Sequence, residues 1–161
     1  MSKILDSGNR RTFQTGAVRD IQEGKGRCDL LPLLPIYNML CDDILFCVNQ
    51  FEDSGDPEYL QEAVLQFSTE FDNSVYTMLL EVSIHFEQGA QKYGENNWQK
   101  GIPVHCYIDS AIRHYLKYKR GDDDERHDRA FVWNVLCAIW TCKVMPELNE
   151  YGVDTDDNVG A

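Results

Sequence analysis

The sequence predicts an all-α fold, a bundle of about five helices with an irregular N-terminal arm and a disordered acidic C-terminal tail. Three observations carry this prediction. Apolar residues recur at three- and four-residue steps through most of residues 30–144; no segment shows the alternation of a half-buried strand; and Pro, Gly and Asx residues punctuate the helical stretches. A chain of 161 residues, 43% hydrophobic and 11% aromatic, fits one domain, drawn here over 1–148, that buries a core without staples.

Residues 1–29 hold Gly16, Gly24 and Gly26 together with Lys3, Arg10, Arg11, Arg19, Lys25 and Arg27, and read as an arm rather than a helix. Its GKG is not a P-loop, because the GxxxxGK[ST] spacing and the preceding strand are missing. A solvated tail and a phosphate-contacting arm are both open readings. From Leu30 the pattern changes. Leu33, Ile36, Tyr37, Leu40, Ile44, Cys47, Val48 and Phe51 predict one amphipathic helix, with Pro32 and Pro35 at or before its first turn. The turn Asp53–Pro57 ends it, and Asp56 as N-cap with Pro57 at N1 opens a second helix, Glu58 to about Phe71. A third, capped by Asp72 or Asn73, runs through Val75, Met78, Val82 and Phe86 toward Tyr93, with Gly94 as C-cap. After the Asn- and Gly-rich loop ENNWQKGIP, Pro103 starts a fourth helix that Gly121 ends. A fifth runs from about Asp124 to Val144, before Pro146. The tail from Asn149 onward is acidic and small, the composition of a disordered segment.

A formal charge of −12 argues against general binding to a nucleic acid polymer or an anionic membrane, since either would be repelled. It leaves room for a small phosphate ligand, because divalent cations bridge carboxylates to phosphate oxygens. No apolar stretch approaches the roughly 20 residues of a membrane span. The opening MSKILDSGNRR has no signal-peptide core, so a cytoplasmic location is expected. Of the six cysteines, Cys41, Cys47, Cys106, Cys137 and Cys142 lie in helix-like segments without CxxC spacing, and read as reduced thiols rather than zinc ligands.

Chemistry concentrates between Glu81 and Asn134. At about 100° per residue, His127, Ala130, Phe131, Asn134 and Ala138 share one face of the fifth helix, so Asn134 needs a hydrogen-bond partner there. Whether it caps backbone or contacts a ligand is open. Asp109 and Arg113, at i and i+4, read alone as a surface ion pair. The acids Asp122 to Glu125 read alone as a favourable first helical turn. If the third, fourth and fifth helices are neighbours, however, Glu87, Asp109, Asp124, Glu125, His127 and Asp128 share one interhelical space. Gathered carboxylates are costly there unless cations neutralise them, and hard Mg²⁺ or Mn²⁺ ions take such oxygens. Lys92 supplies a cation for phosphate; Tyr93 and Trp98 are either core aromatics or faces on which a base stacks.

Five stretches carry a family resemblance: TGAVRD (Thr15–Asp20), GKGRCDLLP (Gly24–Pro32), HFEQGAQKYGENNWQKG (His85–Gly101), YIDSAIRHYLKY (Tyr107–Tyr118) and DERHDRAFVWN (Asp124–Asn134). They resemble the phage dATP/dGTP diphosphohydrolases, related to the all-α MazG-like nucleotide pyrophosphohydrolases. The resemblance implies metal-dependent cleavage of a purine deoxynucleoside triphosphate to monophosphate and pyrophosphate, in phage nucleotide metabolism. It implies Glu87, Asp124 and His127 as catalytic groups, and Glu87, Asp109, Asp124, Glu125 and His127 as ligands for Mg²⁺ or Mn²⁺. It further implies Lys92, Arg113 and His114, with Lys25 and Arg27 of the arm, on phosphate, and Tyr93, Asn97, Trp98 and Asn134 on sugar or base. The ExxE usual in MazG-like helices is absent: Glu81 and Glu87 are six apart and point to different sides. Two other readings stand beside it. One is a non-catalytic protein that sequesters or senses a nucleotide in the same cleft. The other is an HD-type phosphohydrolase built on His127-Asp128, for which a distant upstream His and downstream Asp are not evident. A homo-oligomer formed through the Leu30–Phe51 helix is also expected.

Overall fold

The computed structural model describes residues 5–153, and among them the helical periodicity is realised in six α-helices rather than five. These are α1 (Leu33–Leu40), α2 (Asp43–Ser54), α3 (Glu58–Phe67), α4 (Val75–Tyr93), α5 (Val104–Arg120) and α6 (His127–Val144). The extra helix comes from a break in the predicted Leu30–Phe51 helix. Cys41 takes a left-handed conformation (φ 51°), and the Asp42 side chain accepts from the Ile44 and Leu45 amides, starting α2 afresh. At the next helix the N-cap position falls on Pro57, one residue later than expected, while Asp56 Oδ1 still accepts from Glu58 N at 2.9 Å. That helix ends at Phe67 in a 3₁₀ turn, Ser68–Glu70. Asp72 and Asn73 are left-handed linkers (φ 54° each), and Ser74 caps α4 in their place. Gly94 and Gly121 end α4 and α5 as the sequence indicates. Helix α6 starts at His127, so the acids Asp122 to Glu125 occupy the connecting loop.

Two further segments depart from expectation. The arm contains a short antiparallel hairpin, β1 (Arg10–Thr12) and β2 (Val18–Asp20), with Arg11 opposite Arg19. Three-residue strands are too short to show a period of two, and this one is held by a helix loop distant in sequence. The tail, in turn, is ordered at its start. Tyr151 packs on Phe51 with ring centroids 5.1 Å apart, and Asn149 Nδ2 donates to Gly55 O at 2.9 Å. Gly152 is required there, since a Cβ would lie 2.0 Å from Ser54 O. Residues 154–161 of the expected disordered tail lie outside the described residues.

Helices α5 and α6 form the antiparallel centre, with Tyr107 against Trp133 at one end and His114 against His127 at the other. Phe67 of α3 inserts beside them, in edge contact with Tyr115, Tyr118 and Phe131 at 4.7–6.1 Å. Helix α4 packs on α6, tied by Glu81 to Arg129 (Nε to Oε2, 2.9 Å) and to Arg126. No helix among the described residues is long and apolar enough to cross a membrane.

Candidate active site

Along α4, His85, Gly89, Lys92 and Tyr93 recur at helical spacing and turn one face inward; Ser110, Arg113, His114 and Lys117 do the same on α5. Between these faces and the N-terminal part of α6 lies a cavity of about 630 Å³, and the arm closes its remaining side with Arg11, Arg19, Asp20 and Lys25. This is the size of a small-molecule site. In a chain of net charge −12, the wall carries Arg11, Arg19, Lys25, Lys92, Arg113 and Lys117 against Asp6, Asp20, Asp109 and Glu125. Its sign is therefore opposite to that of the molecule, as an anion site requires.

One end of the cavity holds two imidazoles in contact, His127 buried and His114 half-buried, with their rings tilted by 34°. His114 Nδ1 lies 2.9 Å from His127 Nδ1 and 4.0 Å from Glu125 Oε1. His127 Nε2 is 2.6 Å from Asp124 Oδ1. A carboxylate only accepts, so His127 Nε2 carries a proton and donates it to Asp124. The hydrogen bond from His127 holds Asp124 below the usual carboxylate range. Burial, reinforced by His127, holds His114 well below the usual imidazole value, and burial raises Glu125. His114 is thus neutral near pH 7, the state in which imidazole binds a metal.

The arm is clasped to the helices by polar side chains. Asp109, 2% exposed, accepts from the Cys28 amide at 2.6 Å and from Arg113 Nη2 at 2.7 and 2.8 Å. Arg113 also donates to Gly26 O at 2.6 Å. The Asn97 amide pairs with both backbone groups of Val18 at 2.8 Å, and Tyr93 Oη accepts from Asp20 N at 3.1 Å. Arg19 of β2 reaches inward over the Tyr107 and Trp133 rings, donating through Nη2 to Ser110 Oγ (2.9 Å) and Asn134 Oδ1 (3.1 Å). Asn134 Nδ2 in turn donates to Ala130 O at 2.8 Å.

A family model described as dATP/dGTP diphosphohydrolase, N-terminal, matches residues 67–151, just over half of the chain. The chain belongs to this diphosphohydrolase family. No curated protein and no solved structure matches the chain. The match spans α4, α5, α6 and the histidine pair, and leaves out the arm.

The diphosphohydrolase-family chain brings together most of the residues singled out in its sequence. Lys92, Tyr93, Asn97, Asp109, Arg113, His114, Glu125 and Asn134 line the cavity with Lys25, and His127 and Asp124 complete the histidine cluster. Several are occupied differently than expected. Both Asp109 oxygens serve the clasp, Arg113 belongs to it, and Asn97 holds the hairpin. Lys92 donates to Leu5 O at 2.5 Å. Three residues are not brought in. Glu87 is exposed and lies outside the lining, because two residues past His85 is about 200° around α4. Arg27 is exposed and paired with Asp29. Trp98 packs edge-on against Phe86 and Trp140 beside a smaller cavity of about 210 Å³. Asp128 is engaged by Arg126, not by the histidines, which removes the basis for an HD pair. Sequence reasoning missed Arg19, Ser110, Lys117 and His85. Only the helical spacing of Ser110 and Lys117 around His114 signalled any of them.

The donor set fits a metal ion. Ligand atoms of His114, Glu125 and His127 lie within 4.8 Å of one another, as do those of Asp122, Asp124 and His127. Two imidazole Nδ1 atoms 2.9 Å apart beside a buried carboxylate are a nitrogen-rich set. The contact between Asp124 and His127 is the arrangement that fixes the tautomer of a metal-binding imidazole.

Proposed function

We propose that this protein hydrolyses a purine deoxynucleoside triphosphate, dGTP and/or dATP, to the monophosphate and pyrophosphate, with a divalent metal held at the histidine cluster. The observation that carries the reading is the juxtaposition of a cationic cavity with His114, Glu125 and His127 at one end. Family membership supplies the reaction class. When bound, the metal would polarise a phosphoryl oxygen and lower the pKa of a coordinated water. Of the two expected ions, Mn²⁺ suits two imidazoles better than Mg²⁺, which prefers oxygen.

The chain's own groups have separable tasks. Lys117 and Lys92, from opposite walls, offset charge on the triphosphate and on the departing pyrophosphate. Asp124 orients His127 and is a positioning residue in this scheme. Arg113 and Asp109 act at one remove, by holding the arm as a wall that limits water. We place the reaction in the cytoplasm of a phage-infected cell. We also take the protein to be a homo-oligomer, because Leu34, Met39, Leu40 and Phe46 of α1 and α2 stay exposed.

The test is incubation with each dNTP, with and without Mn²⁺ or Mg²⁺, and separation of products by ion exchange. Monophosphate and pyrophosphate formed only with metal support the reading. Intact nucleotides under all conditions, with binding that survives EDTA, would replace it with sequestration.

A further inference from the structure

Helices α4 and α6 touch at two heights, Glu81 on Arg129 (2.9 Å) and, four residues on along each helix, His85 on Trp133 (ring centroids 5.6 Å apart). The two therefore run parallel, and His85 stands level with Trp133. That is six residues along α6 from His127, about 9 Å at a helical rise of ~1.5 Å per residue. His85 is 7% exposed and lines the cavity, yet the tasks assigned above do not use it. Among the described residues neither of its ring nitrogens has a hydrogen-bond partner, and neither is sealed from solvent. One turn on, nothing outside the helix backbone lies within 4 Å of the place a Cβ on Gly89 would take, so a ligand can come up against α4 beside the imidazole.

Burial, with Arg129, Lys92 and Arg19 nearby, pushes His85 down to about 4. The ring is therefore neutral near pH 7, with hydrogen on one nitrogen and a lone pair on the other. Of the other acceptors in the cavity wall, Asp109 receives Cys28 N and Arg113, Asn97 Oδ1 receives Val18 N, Asn134 Oδ1 receives Arg19, and Asp20 receives Lys25. Glu125 belongs to the metal end. The cations around His85 only donate. The imidazole is thus matched to a ligand group that both gives and takes a hydrogen bond, which is a hydroxyl and not a phosphate oxygen.

We propose that His85 binds the sugar 3′-hydroxyl of the nucleotide. This rests on the nucleotide reading above and adds the residue that registers the sugar. With phosphates held at His114, Glu125 and Lys117, the height of His85 falls to the deoxyribose, whose free hydroxyl is the one at 3′. A hydrogen bond there fixes the sugar against α4 and holds the α-phosphorus in register with the metal end.

The experiment measures kcat/KM for dGTP and for its 2′,3′-dideoxy analogue, with Mn²⁺, in wild type, His85→Phe and His85→Gln. Wild type should use dGTP about fivefold to fiftyfold better than the analogue. His85→Phe should bring dGTP down to the level of the analogue, whose own value should change by less than about threefold. His85→Gln, which keeps a donor and an acceptor, should recover part of the preference. Equal use of both nucleotides by wild type would overturn the proposal, as would a parallel loss of both in His85→Phe, which would put His85 on a part the two share. If neither variant folds, modification of wild-type His85 by diethyl pyrocarbonate, read by mass spectrometry, replaces them. Saturating dGMP should slow it about threefold or more beyond dideoxy-GMP, and equal slowing would overturn the proposal. If wild type hydrolyses nothing, the hydrolase reading fails separately, and calorimetric binding of dGTP against its dideoxy analogue tests the contact. Binding of neither, or of both equally, would overturn it.

Discussion

Replacing Asp109 by Leu should both destabilise the fold and free the arm. Asp109 is buried with Arg113 (side chains 3% and 11% exposed), so solvent screening discounts little of the loss. Removing one partner of a buried pair costs about 3–5 kcal/mol, because the remaining charge is left uncompensated. Part of that sum is the Cys28 amide losing its acceptor. Asp109→Asn keeps an acceptor and should lose less, about 1–2 kcal/mol. Adding Arg113→Met to Asp109→Leu removes the stranded guanidinium and should restore about 1–3 kcal/mol. The assay is urea denaturation of the three variants, paired with limited trypsin digestion read by mass spectrometry. Cleavage after Lys25 and Arg27 should accelerate in Asp109→Leu before the helices are cut. A loss under about 1 kcal/mol with an unchanged cleavage pattern would refute the clasp. A much higher Mn²⁺ concentration for half-maximal rate in Asp109→Asn, with stability unchanged, would return Asp109 to the metal ligands.

Other outcomes follow from the same geometry. His127→Ala and His114→Ala should each reduce kcat to near background in the dNTP assay, whereas Asp124→Asn should lower metal affinity by about 10–100-fold, measured as the Mn²⁺ concentration for half-maximal rate. Burial, with Arg129 nearby, pushes His85 down to about 4. The unfolded chain then takes up the proton first, so stability should fall as pH drops from about 6.5 to about 4, by up to roughly 1.4 kcal/mol per pH unit, and His85→Phe should flatten that slope in thermal melts. Burial raises Glu52 to about 7, and its Oε1 has no partner. The folded state here holds the proton more tightly, so stability present at pH 4 is lost as pH rises toward 7. Glu52→Gln should therefore stabilise by about 1–3 kcal/mol at pH 8, and by much less at pH 4.

The helices that carry the site were legible because their apolar spacing agrees with their stop signals. Gly94 and Gly121 end α4 and α5 as read, and the His114 and His127 segments fall on the neighbouring helices foreseen. The break at Cys41 was less legible, since a cysteine in the left-handed region is unusual, although Asp42 ahead of Ile44 and Leu45 is an ordinary N-cap pattern. The hairpin was hidden for a different reason. Val18 pairs with Asn97, 79 residues away, and no local pattern encodes a bond of that length. Arg19 was therefore read as one cation of a polar arm. Glu87 shows the opposite limit, where residue type suggested a ligand and two residues of helical rotation turned it to solvent.

Of the buried apolar side chains, residues 5–27 contribute Ala17 alone. The arm therefore adheres more through directional bonds, at Asn97, Tyr93, Asp109, Arg113, Ser110 and Asn134, than through its small share of the apolar core, Ala17 with Phe13 and Cys28 at the margin. Such contacts are lost together and remade together, and they leave the helical framework intact when they go. Amide hydrogens of residues 10–20 should exchange with solvent well ahead of those in α5, and in the nucleotide reading proposed above each such opening would uncover the cavity.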